Sequence, residues 1–286
     1  MKQILVISGK GGTGKTVVVA SFAALTKNKV MADCDVDAAD LHLLLHPCIK
    51  ERHIFKGLPK AVINREKCIS CGECAGVCRF NAIVTANSEV DFTVDPVSCE
   101  GCGVCEYICP EDAIRMEDNV SGEWYISETK YGPMVHAKLG IAEENSGKLV
   151  SIVRQNAKRI AEENNFDYVI IDGPPGIGCP VIASLSGVDI ALVVTEPSLS
   201  AIHDMERVVG VAKHFGIRAA CVINKCDINL NNTQSIVDWC RTNGISLLGK
   251  IPYDHSVTES IVEGIPVVEY ANNPVAKVIE EIWRSL

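Results

Sequence analysis

The sequence is poor in aromatic residues and has no long apolar run. Aromatic side chains make up 5% of its 286 residues whereas 47% are hydrophobic, which predicts a large aliphatic core. No uninterrupted apolar run approaches the ~18 residues that a membrane span needs. Met1 and Lys2 lead almost directly into the first apolar run, which leaves no room for a signal peptide. We therefore expect a cytoplasmic protein with no membrane-spanning segment.

Clusters of lysine and arginine are also missing. The formal net charge is −9, and no basic run stands out along the chain. Binding to nucleic acid without sequence preference needs a basic surface, so we expect no nucleic-acid partner. The length allows one large domain or two smaller ones.

Cysteine, in contrast, is abundant. The chain has 14 cysteines, and in the absence of a secretory signal they indicate metal or redox chemistry rather than disulfides. Eight of them form two runs with the same spacing, C-x₂-C-x₂-C-x₃-C. The runs are Cys68, Cys71, Cys74, Cys78 and Cys99, Cys102, Cys105, Cys109.

Two such runs are the signature of a bacterial ferredoxin with two [4Fe–4S] clusters, although a single run is compatible with a zinc knuckle. In such ferredoxins the fourth cysteine of each run binds the other cluster. The predicted ligands are Cys68, Cys71, Cys74 and Cys109 for one cluster, and Cys99, Cys102, Cys105 and Cys78 for the other. Composition changes near both ends of this segment, so we predict a small inserted α+β ferredoxin domain at residues 63–118. Arg79 follows Cys78 where the pattern has a proline, and its charge is expected to raise the potential of one cluster.

A glycine-rich segment, residues 9–16, lies between two apolar runs. It fits the phosphate-binding pattern G-x-x-x-x-G-K-[ST], in a strand–loop–helix context. Glycines let successive backbone N–H groups face one anion, and the following helix points its positive end to the same place. The predicted ATP ligands here are Gly9, Lys10, Gly11, Gly12, Thr13, Gly14, Lys15 and Thr16. Lys15 is expected to bind the β- and γ-phosphates, and the Thr16 hydroxyl to bind Mg²⁺.

Two later segments add to this site. An apolar run at 166–172 ends in Asp172, which is the arrangement that delivers a carboxylate to Mg²⁺ beside Thr16. A further apolar run at 217–223 ends in Asn224, whose amide can pair with a purine edge. Asp227 completes an Asn-Lys-x-Asp sequence that also serves guanine, so GTP remains an alternative to ATP.

Residues 10–16 resemble the deviant Walker A motif of the MinD/Mrp and nitrogenase-iron-protein group of P-loop ATPases. The resemblance implies that Lys10 reaches the partner's nucleotide in a nucleotide-dependent homodimer. It implies that Asp35, or alternatively Asp37, orients the attacking water, and that Pro252 belongs to a loop closing over an adenine base. Alternating strands and helices predict an α/β fold, a doubly wound and mostly parallel sheet, for a P-loop ATPase domain at 1–62 and 119–286.

Together these features predict an iron–sulfur protein that hydrolyses ATP and couples the resulting conformational change to electron transfer. Its expected partner is a redox or iron–sulfur client protein. A carrier or assembly ATPase for metalloclusters, and a nucleotide- or redox-dependent regulatory switch, remain alternatives. Cys179 lies at the distance from Asp172 where the nitrogenase iron protein has a cluster ligand, so it is a candidate for an extra cluster or thiol site. The alternative for Cys179 is a packed, reduced cysteine.

Three local predictions concern structure alone. Asp40 is a candidate N-cap for a helix at 41–45, and the polar stretch 140–148 is predicted to be a loop. Apolar residues at helical spacing in 275–286 predict a helix packed on the core rather than a membrane anchor, because its polar face carries glutamates as well as basic residues.

Overall fold

Apolar runs of the sequence become the strands of a sheet, and the segments between them become helices. The computed structural model describes residues 1–85, 91–140, 146–270 and 273–286. The strands are β1 (Lys2–Ser8), β2 (Lys29–Asp33), β3 (Cys48–Lys56), β4 (Lys60–Ile63), β5 (Ile83–Thr85), β6 (Phe92–Val94), β7 (Ile114–Glu117), β8 (Val120–Thr129), β9 (Gly132–Leu139), β10 (Tyr168–Pro175), β11 (Ile190–Thr195), β12 (Arg218–Ile223) and β13 (Ser246–Lys250). The helices are α1 (Lys15–Leu25), α2 (Leu41–Leu45), α3 (Glu73–Val77), α4 (Val104–Ile108), α5 (Ser146–Glu163), α6 (Cys179–Leu185), α7 (Leu199–His214), α8 (Leu230–Thr242), α9 (His255–Glu263) and α10 (Pro274–Ser285).

These elements belong to two units. The P-loop unit comprises Met1–His53, Trp124–Lys138 and Ser146–Leu286, and the cysteine unit comprises Ile54–Glu123 and Leu139–Asn145. The cysteine unit extends beyond the predicted segment 63–118 at both ends, because the chain crosses between units within β3 and β8 rather than in loops.

Within the described residues, nine strands form one sheet in the order β13-β12-β11-β1-β10-β2-β9-β8-β3. The strand pairings from β13 to β9 are parallel, as the alternation of strands and helices predicts. The central strands β1, β2 and β11 are buried along nearly their whole length, which explains why they read as continuous apolar runs. β8 and β9 are joined by a two-residue turn at 130–131, so the fold is a mixed, mostly parallel α/β sheet.

The register of the central strands aligns their carboxyl ends. Asp172 of β10 pairs with Val6 of β1 on one side and with Asp33 of β2 on the other. The loop after β1 and the acidic ends of β2 and β10 therefore meet at one edge of the sheet. This edge is where open parallel sheets bind their ligands.

The local predictions had mixed outcomes. Helix α2 forms as expected, but the Asp40 side chain makes no capping hydrogen bond. Of the predicted loop 140–148, residues 141–145 lie outside the described residues, and Ser146 already begins α5, whose buried face starts at Leu149. The core-helix prediction for 275–286 is confirmed: Val275, Ile279 and Ile282 of α10 are buried in the main core.

The cysteine unit consists of two similar halves. Antiparallel strand pairs β4–β7 and β5–β6 accompany the short helices α3 and α4. Each helix follows a glycine with positive φ, Gly72 (76°) in one half and Gly103 (74°) in the other. Left-handed residues recur at matching places, Asn81 after the first cysteine run and Asp112 after the second. The spacing repeat of the cysteines is thus also a repeat of backbone conformation.

Candidate functional site

The glycine-rich loop between β1 and α1 has the backbone shape that its sequence predicts. Gly12 and Gly14 have positive φ values of 77° and 95°, which side chains with a Cβ rarely adopt. A Cβ added to Gly14 would lie only 2.4 Å from Nδ2 of Asn224. A Cβ added to Gly9 would lie 2.4 Å from the backbone of Asp204. Torsion and space both require glycine at Gly14, whereas torsion alone requires it at Gly12 and space alone at Gly9. Gly11 has open space around it.

Lys15, at the start of α1, points into the edge of the sheet. Its side chain is only 6% exposed, and Nζ lies 3.8 Å from Oδ2 of Asp35. Burial raises the pKa of Asp35, and the charge of Lys15 opposes that shift. The exposed Asp37 lies just beyond, outside this ion pair. The structure thus brings together Lys15 and Asp35, the first choice from sequence, and leaves Asp37 at the periphery.

Two buried carboxyl groups occupy the neighbouring strand ends. Asp33 and Asp172 are each 1% exposed, and Asp33 Oδ2 and Asp172 Oδ1 have no hydrogen-bond partner among the described residues. Burial raises the pKa of Asp172 to about 7, while Lys15 and a hydrogen bond from Thr16 act in the opposite direction. Burial and the charge of Asp172 raise the pKa of Asp33 well above its usual value.

This arrangement fits a magnesium ion. A hydroxyl and two carboxyl groups are hard oxygen donors of the kind that Mg²⁺ prefers, and unpartnered buried oxygens are costly until something binds them. Thr16 and Asp172 were expected from the sequence, but Asp33 was not assigned a role. The signal that identifies it is a second strand ending in aspartate, which becomes meaningful once β2 and β10 are neighbours.

Lys10 makes a contact that the sequence did not reveal. Its Nζ lies 2.7 Å from Oε1 of Glu196, and Oε2 of the same carboxylate lies 3.1 Å from Nζ of Lys225. Lys10 also donates to the hydroxyls of Ser198 and Ser200 at 3.2 and 3.4 Å. Burial opposes ionisation of Glu196, but its hydrogen bonds with both lysines prevail and lower its pKa. One carboxylate therefore bridges two cations beside the phosphate loop.

The predicted base-recognition residues lie behind the same loop. Asn224 donates from Nδ2 to the carbonyl of Thr13 at 2.8 Å, and its Oδ1 accepts the Lys225 N–H at 2.9 Å. Oδ1 of Asp227 accepts the backbone N–H of Tyr253 at 2.7 Å. This hydrogen bond joins the loop after β12 to the segment after β13, which contains the half-buried Pro252.

The eight motif cysteines surround two cavities in the cysteine unit. The first cavity, about 360 Å³ with the solvent at its mouth included, is lined by Cys68, Cys71, Cys74 and Cys109 among apolar side chains. The second, about 380 Å³ by the same measure, is lined by Cys78, Cys99, Cys102 and Cys105. Each cavity thus takes three cysteines from one run and the fourth cysteine from the other.

The backbone around these cavities also supports the sulfur atoms. Sγ of Cys78 accepts the N–H of Ala82 at 3.3 Å, and Sγ of Cys109 accepts the N–H of Ala113 at the same distance. Such bonds favour thiolates and tune the potential of iron–sulfur clusters. In the part of the chain that the structure describes, no group of three or more His, Cys, Asp or Glu side chains is placed to hold a metal ion.

Cys179 lies apart from these groups, in the P-loop unit. It is exposed at the first residue of α6. A Cβ added to Gly147 would lie 3.4 Å from the Cβ of Cys179. Strand β10, which precedes this helix, continues through Pro175.

The sheet and its phosphate loop define a P-loop nucleotide-binding protein. The family model "CobQ/CobB/MinD/ParA nucleotide binding domain" matches residues 4–267, so the chain belongs to this family. Members of the MinD/ParA family are ATPases, and the chain is a P-loop ATPase of this kind. In the described part of the chain, no helix is long and apolar enough to cross a bilayer.

Individual relatives support this assignment. The uncharacterized protein MJ0578 of Methanocaldococcus jannaschii is 34% identical over 99% of this chain and 96% of its own length. A putative septum site-determining protein MinD of Emiliania huxleyi is 25% identical over 94% of this chain and 80% of its own length. The structure of MinD from Pyrococcus horikoshii OT3, complexed with Mg-ADP, has a TM-score of 0.59 at 19% identity and covers 99% of this chain and 95% of that one. The last likeness shows the fold alone.

Proposed function

We propose that this protein hydrolyses ATP and couples nucleotide turnover to electron transfer through two [4Fe–4S] clusters. The observation that carries the proposal is the pair of cavities in the cysteine unit. Each is lined by four cysteines, three from one run and the fourth from the other. This is the exchange of ligands that two-cluster ferredoxins use.

In the P-loop unit the chemistry follows from the buried side chains. Lys15 binds the transferred phosphate, and Asp35, paired with Lys15 at 3.8 Å, lies where a water could be oriented; Asp37 is the alternative for that role. Thr16 and Asp172, with Asp33, hold magnesium, which neutralises the phosphate charge when bound. Protonated carboxyl groups cannot serve a cation well, so magnesium binding is expected to release protons from this pair near neutral pH.

The proposal includes a nucleotide-dependent homodimer in which Lys10 binds the partner's nucleotide. Lys10 is paired with Glu196 of its own chain, so dimer formation exchanges one anionic partner for another. A cation added near the γ-phosphate stabilises the charge that develops during transfer.

ATP is the proposed nucleotide rather than GTP. In an Asn-Lys-x-Asp sequence that binds guanine, the aspartate carboxylate accepts from the base. Oδ1 of Asp227 accepts the Tyr253 N–H at 2.7 Å, which ties this carboxylate to the segment after β13. Asn224 keeps one amide hydrogen and one lone pair for an adenine edge.

Iron and acid-labile sulfide analysis with EPR tests the cluster assignment. Purified under anaerobic conditions, the wild type should hold two four-iron clusters, and Cys102→Ser should lose one of them. Cys48→Ser is the matched control, because Cys48 is exposed but lies outside both cavities. A protein that carries zinc, or that keeps its iron content after Cys102→Ser, contradicts the assignment.

A redox titration with ADP and then with an ATP analogue tests the coupling. A nucleotide-dependent change of ~59 mV in a one-electron potential corresponds to ~1.4 kcal/mol shared between nucleotide and cluster. Potentials that do not respond to nucleotide argue against gated electron transfer, even if both clusters are present.

Two alternatives have their own support. Cys179 is exposed and does not line either cysteine cavity, which favours a cluster carrier with an additional thiol site. Such a carrier passes a cluster to an apo-protein, whereas a redox protein retains both clusters through turnover. Relatives named as septum site-determining proteins favour a nucleotide-dependent regulatory switch. A switch changes its oligomeric state with nucleotide but transfers neither electrons nor clusters.

A further inference from the structure

A polar cavity lies at the edge of the P-loop unit's sheet opposite the phosphate loop. Its volume is about 600 Å³ with the solvent at its mouth included. The residues lining it are Gln3, Ser151, Arg154, Gln155, Lys158, Ala183, Ser186 and Gly187. Gln3 is at the beginning of β1 and the phosphate loop follows the end of that strand, so this cavity is separate from the nucleotide site.

One face of α5 provides most of the polar groups. Ser151, Arg154, Gln155 and Lys158 have the spacing i, i+3, i+4 and i+7, which places them on the same side of a helix. Two of them are cations, and none of the lining residues is acidic. Lys158 lies 3.7 Å from Glu162, but both side chains are exposed and such a pair contributes little. The side chains that line the cavity therefore carry a net positive charge.

Arg154 is an unusual member of this lining. Its guanidinium is buried, and it forms no salt bridge with a carboxylate among the described residues. The residue is 8% exposed, and its Nη2 donates to Oε1 of Gln3 at 2.6 Å. Its Nη1 donates to the carbonyl oxygens of Ser186 and Ala183. Nε has no hydrogen-bond partner, and no carboxylate forms a salt bridge with Arg154, within the ranges that the structure describes. Buried cations are normally paired, so this one lacks the counter-charge that such a position requires.

We propose that this cavity binds a small molecule through a phosphate or carboxylate group, with Arg154 and Lys158 as the cationic contacts. A guanidinium presents planar N–H donors that match two oxygens of either group, and lysine adds a second charge. Ser151 and Gln155 offer neutral hydrogen-bonding groups to the rest of the molecule. This ligand is distinct from the nucleotide, and its binding does not depend on the presence of clusters.

The test uses the full-length protein with the nucleotide site already filled by a non-hydrolysable Mg-ATP analogue, so that the γ-phosphate position is occupied and added anions do not report on the phosphate loop. Inorganic phosphate and citrate are titrated separately by calorimetry, with sodium chloride keeping the ionic strength constant. We expect saturable binding of one anion per chain. Binding of phosphate alone identifies a phosphate ligand, and binding of citrate alone identifies a carboxylate ligand.

Matched variants on α5 locate the site. Lys158→Gln should weaken binding about tenfold, the effect of losing one charge-assisted contact. Arg159→Gln removes the same charge one residue later, where the side chain is exposed and paired with Glu163, and should leave binding unchanged. Arg154→Lys keeps the buried charge but not the planar donors, and should weaken binding while the thermal unfolding curve shows a folded protein. Absence of saturable binding for both anions, or equal affinity in Lys158→Gln and the wild type, overturns the proposal.

Discussion

Replacement of Asp172 by asparagine is expected to stabilise the protein in the absence of magnesium. Asp172 is 1% exposed, and burial is the main reason that its pKa rises from the usual range of an aspartate to about 7. A carboxyl group whose pKa is higher in the folded state favours folding while it is protonated, and this contribution is lost as the pH rises through the folded-state pKa. Above about pH 7 the wild type must keep a buried carboxylate ionised, whereas the amide carries no charge.

The magnitude follows from the two pKa values. Between about pH 5 and pH 7 each pH unit costs the wild type ~1.4 kcal/mol of folding free energy. The stability advantage of Asp172→Asn should therefore grow by on the order of 3 kcal/mol over this range, and then level off. Asp33 is buried beside Asp172 and titrates with it, so the slope belongs to the pair.

The assay is urea unfolding in EDTA at several pH values, followed by tryptophan fluorescence. All three tryptophans, Trp124, Trp239 and Trp283, lie in the P-loop unit, so the signal reports on the unit that contains Asp172. Asp238→Asn is the control, since Asp238 is a surface residue paired with Arg241. A stability difference between Asp172→Asn and the wild type that does not change with pH refutes the reasoning.

Magnesium should reverse the order of stability. Mg-ADP at ~100 times its dissociation constant stabilises a protein that binds it by ~2.7 kcal/mol. The wild type is expected to gain this amount, and Asp172→Asn much less, because one oxygen ligand has lost its charge. Equal stabilisation of both proteins by Mg-ADP contradicts the assignment of Asp172 to the magnesium site.

Three further substitutions have defined outcomes. Gly14→Ala should abolish nucleotide binding in calorimetry, because it combines a φ of 95° with a Cβ only 2.4 Å from Asn224 Nδ2; retained affinity argues against this loop geometry. Glu196→Gln should tighten ADP binding by roughly fivefold, about 1 kcal/mol, since Lys10 and a second lysine lose their shared counter-charge beside the phosphates; an unchanged dissociation constant disproves this. Arg79→Pro should lower the midpoint potential of one proposed cluster in an anaerobic titration, because an exposed positive charge is removed. If both midpoint potentials stay unchanged, the charge of Arg79 does not affect either cluster.

Short-range features were accessible from sequence. The pattern of residues 9–16 needs only one strand, one loop and one helix, all adjacent in the chain, and φ values at Gly12 and Gly14 follow from it. The C-terminal helix was likewise readable, because its apolar spacing specifies one buried face. The ligand sets predicted from the cysteine spacing are the same as the sets of cysteines that line the two cavities. The ferredoxin pattern itself assigns the fourth cysteine of each run to the other set.

Long-range features were not accessible. Asp33 gains its place beside Asp172 only when β2 and β10 become neighbours, and Glu196 reaches Lys10 from the other side of β1. β10 continues through Pro174 and Pro175, and its register with β1 shifts there, so that Pro175 pairs opposite Ser8. In each case strand order, which local pattern does not encode, determined the outcome.

The exchange of one cysteine between the halves of the cysteine unit affects how that unit can be made. The first cavity needs Cys109 from the second half, and the second cavity needs Cys78 from the first. In the proposed two-cluster protein, neither half can therefore complete a ligand set during synthesis until both have left the ribosome. A truncated chain ending between the two runs would hold at most three ligands for one proposed cluster and one for the other, so cluster loading would distinguish finished chains from unfinished ones.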